Sequence, residues 1–124
     1  MKIWLAVALG GAIGATLRFA VSRGAAGLFG TGFPWGTLIV NAVGAFAIGF
    51  LAAWFASRFA VGPALRALIL TGLLGALTTF STFSFETLGL VQTAAFGKVA
   101  ANIVVNLGMS LALVWVGYEL GGRL

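Results

Sequence analysis

One short stretch of the chain is dense in side chains that could bind something: residues 75–86, GALTTFSTFSFE. From Thr78 to Ser84, five hydroxyls (Thr78, Thr79, Ser81, Thr82, Ser84) and two phenylalanines fill seven consecutive positions beside Gly75. Two other groups of neutral polar residues recur at helical spacing. Thr37 and Asn41 stand at i, i+4, and Asn102, Asn106 and Ser110 at i, i+4, i+8, on one helix face. The next position on that stripe is Val114, where the polar line stops. Phe80 and Phe83, at i, i+3, share one side of their helix. A lone amide in a membrane helix is usually interhelical glue, and a ring pair is usually packing. Together, hydroxyls, amide N–H groups and the positive edges of aromatic rings suit a small, strongly hydrogen-bonding anion. The residues by themselves reach that class of solute and no further.

Most other chemistry lacks its reagents. There is no Cys, so thiolate metal sites and disulfides are excluded, and no His to shuttle protons or bind a transition metal. Glu86 and Glu119 are the only acids, which argues against carboxylate-pair catalysis and against an enzyme. No charged side chain need lie on the polar stripes, so a proton relay is not expected either.

The elements that must hold these residues are membrane helices. The chain is 61% hydrophobic and 7% charged, whereas soluble domains carry about 25% charged residues. The net charge of +5 comes from Lys2, Arg18, Arg23, Arg58, Arg66, Lys98 and Arg123, scattered singly. A nucleic-acid partner would ask for a cluster or stripe; these cations punctuate spans instead, and the partner is the lipid bilayer. Lys2 before an apolar run resembles a signal peptide, but three further spans follow, so the first is expected to be a retained helix.

A span takes about 20 residues. The expected fold is one all-α integral membrane domain over 1–124, with helices at about 3–22, 35–57, 65–95 and 99–121. Pro34 and Pro63 suit helix starts. Counted from Leu65, Gly75 lies about 15 Å into the third span, half of a hydrocarbon core of about 30 Å. Gly75, the β-branched Thr78 and Thr79, and hydroxyls that compete for backbone groups predict a break in that helix near 75–80. A half-helix ending there exposes carbonyls, which suit a cation. The alternative is an unbroken helix whose hydroxyls bond back to the preceding turn.

With four spans, Lys2, Arg58, Arg66 and Arg123 fall on one side, and Arg23, Lys98 and nearby Arg18 on the other. Four against three gives no orientation bias, which would permit insertion both ways round and an antiparallel homodimer. The pairs Gly10/Gly14 and Gly117/Gly121 offer close helix contacts. Arg18 lies about 22 Å along the first span and Glu86 beyond the break of the third, at similar depth, so a structural ion pair within or between protomers is expected.

The sequence resembles the Fluc/CrcB family of fluoride channels over essentially its whole length. The resemblance rests on GGAIGATLR at 10–18, WGTLIVN at 35–41, TGLLGALTTFSTFSFE at 71–86 and NLGMS at 106–110. It implies a passive, fluoride-selective channel of the bacterial cytoplasmic (inner) membrane that exports toxic fluoride. It implies an antiparallel, dual-topology homodimer with two pores and a central structural sodium ion (Na+). By the same resemblance, Gly75 and Thr78 would hold that sodium through backbone carbonyls, and Phe80 and Phe83 would face passing fluoride. Asn41 would line the pore, Ser110 would belong to the polar track, and Asn106 falls at a variable position; Val114 departs from a familiar Thr. Thr37, Ser81, Thr82 and Ser84 complete the expected pathway. A rival is a proton-coupled exporter of the small multidrug-resistance type. Its relatives use a glutamate in the first span, and Ile3–Leu17 has no acid. A non-transporting assembly factor would leave the hydroxyl and phenylalanine run without a purpose.

Overall fold

The computed structural model describes residues 1–57 and 61–124; Arg58, one of the charges in the orientation count, lies outside the described residues. Among the described residues the only regular secondary structure is helical. Four segments are long and apolar enough to cross a membrane, namely Lys2–Phe29, Trp35–Ala56, Pro63–Gln92 and Phe96–Gly122. They are the first to fourth spans below.

The first span runs past Ser22, its expected end, to Phe29. Arg23 marks the edge of the apolar stretch but supplies nothing that stops a helix. Termination comes at Gly30, whose φ of 77° lies in the left-handed region and whose N–H bonds the Ala26 carbonyl at 3.0 Å. Pro34 immediately precedes the second span, and Pro63 opens the third at its first helical position.

The third span is interrupted, as the glycine and hydroxyl pattern predicts. An α turn at Pro63–Arg66 passes into a π-helical segment, Ala67–Leu74, and a last α turn, Gly75–Leu77. Thr78 and Thr79 are extended, with φ, ψ of −78°, 154° and −154°, 120°. The helix restarts at Phe80 and continues to Gln92.

Glycines set the distances between spans. A Cβ on Gly10 would meet the Leu68 carbonyl, and one on Gly14 the Leu73 carbonyl. The first span therefore lies backbone to backbone against the π-helical segment. Gly49 of the second span abuts the Val114 carbonyl, and Gly117 and Gly121 of the fourth abut those of Phe46 and Phe50. Both glycine pairs seen in the sequence are thus helix contacts. The second and fourth spans pack along their length, while the restarted half of the third leans on the fourth. A core of Val40, Leu74 and Leu77 fixes the first half of the third span against the second.

Gly49→Ala and Gly117→Ala are each expected to lower stability in detergent by about 1–3 kcal/mol, because the added methyl meets backbone that cannot rotate away. Gly11→Ala, which meets nothing within 4 Å, should leave it unchanged or slightly higher. Thermal unfolding of the three variants beside wild type checks this.

Candidate functional site

The break is held by side chains in place of a helical ladder. Thr78 N–H still reaches the Leu74 carbonyl at 3.1 Å, and its hydroxyl donates to the same oxygen at 2.9 Å. Thr79 leaves the ladder altogether. Its N–H donates to Asn41 Oδ1 at 2.7 Å, and Asn41 Nδ2 donates to the Thr79 carbonyl at 3.1 Å. The carboxamide faces the Thr79 main chain with both ends. Thr79 then caps the restarted helix: its Oγ1 accepts the Thr82 N–H at 3.2 Å and donates to the Thr82 hydroxyl at 3.0 Å.

From Asn41 the bonds continue through the fourth span. Asn41 Nδ2 donates to Asn106 Oδ1 at 2.9 Å, and Asn106 Nδ2 to Asn102 Oδ1 at 3.5 Å. Asn102 Nδ2 donates to the Thr87 hydroxyl at 2.9 Å, which donates to the Phe83 carbonyl at 2.7 Å. Asn102 is 0% exposed. Three amides and two threonines thus tie the second and fourth spans to the break and to the helix restarted beyond it. Asn102, Thr79 and Thr87 were not among the expected site residues. Asn102 was visible on the stripe of Asn106, and Thr79 as a hydroxyl three residues before Thr82, the usual N-cap spacing.

A cavity of about 550 Å³ opens at the break. Its wall brings together Asn41, Phe80, Phe83, Asn106 and Ser110, and Gly75 and Thr78 line it where the first half-helix ends. Val114 closes the line of the fourth-span stripe within the same cavity. The Ser110 hydroxyl oxygen is buried and has no hydrogen-bond partner among the described residues. The two rings lie 5.4 Å apart between centroids and tilt by 49°. They differ in cover: Phe83 is 6% exposed and Phe80 69%. Ser81, Thr82 and Ser84 lie outside this wall. Ser84 donates back to the Phe80 carbonyl at 2.9 Å, the turn-bonding habit of hydroxyls in apolar helices, and Ser81 and Thr82 surround the Thr79 cap.

Thr37 and Glu86 belong to a second cavity, of about 500 Å³, at one end of the bundle, with Lys98 at its wall. Thr37 is buried beside Glu86, whose Oε2 is buried with no hydrogen-bond partner among the described residues. Lys98 Nζ donates to the Gly32 carbonyl at 2.8 Å, tying the loop before the second span to the start of the fourth. Within the protomer, Arg18 and Glu86 do not form the expected ion pair. Among the described residues the ion pair within 4.0 Å is Arg123 with Glu119, at 3.9 Å and exposed. Similar depth along two spans does not make two side chains point at each other, and Glu86 lines the end cavity with Thr37 of the second span. No group of three or more His, Cys, Asp or Glu occurs among the described residues, so any cation at the break would be held by neutral oxygens.

The family model for CrcB-like protein, Camphor Resistance (CrcB), matches residues 5–118. A fluoride-specific ion channel FluC of Shewanella amazonensis is 53% identical over 116 residues, covering 94% of this chain and 93% of that protein. One from Aquifex aeolicus is 47% identical over 124 residues, with both chains covered in full. One from Methylococcus capsulatus is 50% identical over 119 residues; these are 96% of this chain but 52% of that protein. A multi-pass membrane chain with this interrupted third span, matched over nearly all its length, belongs to the CrcB-like family.

Proposed function

We propose that the protein is a passive, fluoride-selective channel that exports fluoride across the bacterial cytoplasmic membrane. The observation that carries this reading is the cavity at the break. It sets two aromatic rings, two amides and an unpartnered buried hydroxyl around one volume and places no charged side chain on the wall. Fluoride gives up a tightly held hydration shell, and a pathway for it must return those contacts with donors and positive ring edges. The names of the relatives point the same way. A proton-coupled exporter would need an acid in its first span, and Lys2–Phe29 contains none.

The working unit in this proposal is an antiparallel, dual-topology homodimer with two pores. Phe80 lines the cavity yet is 69% exposed in the single chain, and Gly75 is exposed as well. A second copy crossing at the break would cover both. A sodium ion at the centre would be held by the Gly75 and Thr78 carbonyls of both copies and would supply positive potential beside the anion paths. The residues present fit a monovalent cation: carbonyls at a half-helix end and no acid on the cavity wall. Glu86 and Thr37 would stand at the outer mouth of each path. In an antiparallel pair, Arg18 of one copy and Glu86 of the other lie near opposite membrane faces. An ion pair between protomers therefore has no place in this arrangement.

Phe80→Ile and Phe83→Ile are each expected to slow fluoride efflux from liposomes by about tenfold or more, the equivalent of a ring-edge contact of roughly 1.4 kcal/mol, with the protein still folded. Efflux equal to wild type in both would reduce the rings to packing. Ser110→Ala should slow efflux while leaving stability within about 0.5 kcal/mol, since its hydroxyl bonds nothing in the fold. Asn102→Ala should cost about 1–3 kcal/mol by stranding Thr87 and Asn106, which thermal unfolding reads.

A further inference from the structure

We infer that Asn41 and Thr79 are positioning residues: they divert the helical donors of the Gly75 and Thr78 carbonyls and so create the cation site at the break. This rests on the cation site proposed above. In an α-helix each N–H donates to the carbonyl four residues earlier. The Gly75 carbonyl would receive the Thr79 N–H, and the Thr78 carbonyl the Thr82 N–H. Both donors are present and both are bonded elsewhere. The Thr79 N–H goes to Asn41 Oδ1 at 2.7 Å, and the Thr82 N–H goes to Thr79 Oγ1 at 3.2 Å. Among the described residues, no other hydrogen bond reaches either oxygen.

The carbonyl just before the break is treated differently. One residue before Gly75, the Leu74 carbonyl keeps its donor, Thr78 N–H, and gains the Thr78 hydroxyl as a second. Its oxygen is saturated while the next carbonyl is bare. Asn41 also holds the Thr79 carbonyl at 3.1 Å, which in an intact helix would accept from Phe83 N–H. Gripped at both its N–H and its C=O, Thr79 stays extended, and the ladder cannot close over the gap. Asn106 fixes the strut by taking the second Asn41 N–H at 2.9 Å.

This arrangement gives Asn41 a different task from contact with the ion. Both of its amide hydrogens are committed, one to the Thr79 carbonyl and one to Asn106, and none is left for a passing anion. The Ala76 and Leu77 carbonyls, between Gly75 and Thr78, also receive no hydrogen bond among the described residues, as befits a helix end. The Gly75 and Thr78 oxygens are the two whose donors are held elsewhere by side chains. Bare carbonyls near the membrane centre carry a desolvation cost that a cation offsets. Thr79 and Asn41 together therefore turn a helix break into a ligand set.

The test uses the purified dimer with sodium titrated against N-methylglucamine, reading the sodium concentration for half-maximal thermal stabilisation. Thr79→Val removes the cap oxygen at nearly constant shape, and Thr79→Ser retains it. The Val variant and Asn41→Ala should each raise that concentration about tenfold, one hydrogen bond's worth, and the Ser variant should stay within about twofold of wild type. An unmoved sodium midpoint in Asn41→Ala with slowed fluoride efflux would make Asn41 an ion contact and overturn the inference. A second measurement needs no variant: a 13C=18O label at Gly75 in wild type, compared by infrared with one at Leu74. In sodium-free N-methylglucamine, a Gly75 band at the frequency of a helix-bonded carbonyl overturns the inference; a band shifted to the free-carbonyl side sustains it. If wild type ignores sodium while that band is shifted, the cation reading fails and the positioning role stands.

Discussion

Inside a bilayer every backbone N–H and C=O must find its partner within the protein, and the rest of this structure follows from how that rule is met at Thr78 and Thr79. An intact third span would satisfy it at no cost in side chains. Here the ladder is opened, and the donors it frees are taken by Asn41 Oδ1 and Thr79 Oγ1. Those bonds set which side chains surround the cavity, because the restarted helix carries Phe80 and Phe83 in the direction the break gives it. The amides of the fourth span hold the far side of the same gap. Asn41, Thr79, Thr82, Thr87, Asn102 and Asn106 are thus one connected system across the second, third and fourth spans.

The glycines make that system reachable. Asn41 spans from the second helix to the Thr79 main chain only because the helices approach closely. At Gly44 an added Cβ would meet the Thr78 side chain, and at Gly49 the Val114 carbonyl. On the opposite side, Gly10, Gly14 and Gly72 let the first span lie against the π-helical segment that leads into the break. π-Helical turns often mark sites of function, and this one ends where the bare carbonyls begin. No charged side chain of the described residues lines the cavity at the break; Glu86 and Lys98 lie at the end cavity and Arg123 pairs with Glu119 on the exposed surface of the fourth span. The middle of the membrane is left to neutral donors, so no fixed negative charge lies on the cavity wall where an anion would pass.

Much of this was legible in one dimension. The four spans follow from apolar length, and the break from five hydroxyls beside a glycine in a segment with no other reason to hold them. What the hydroxyls do was not legible. Thr78 and Ser84 turn back on their own helix, as the alternative of an unbroken helix would have had them do. Only Thr79 becomes a cap, because it sits where the chain is extended. Spacing along the second span could not reveal that Asn41, which lines the cavity, also bonds a main chain 38 positions away. Depth along two helices suggested that Arg18 would meet Glu86, but lateral direction decides contact, and within the protomer Glu86 lines a cavity with Thr37 instead. The first span outlasted its apolar stretch because a charge ends a span without ending a helix.

The central claim is that this neutral, donor-lined break conducts fluoride and rejects its larger halide relative. The measurement that addresses it most directly is ion efflux from liposomes holding only the purified wild-type chain, loaded first with fluoride and then with chloride at equal concentration. Rapid loss of fluoride with chloride retained, without any proton gradient, is the expected result. Retention of both ions, or release of both at similar rates, would contradict it.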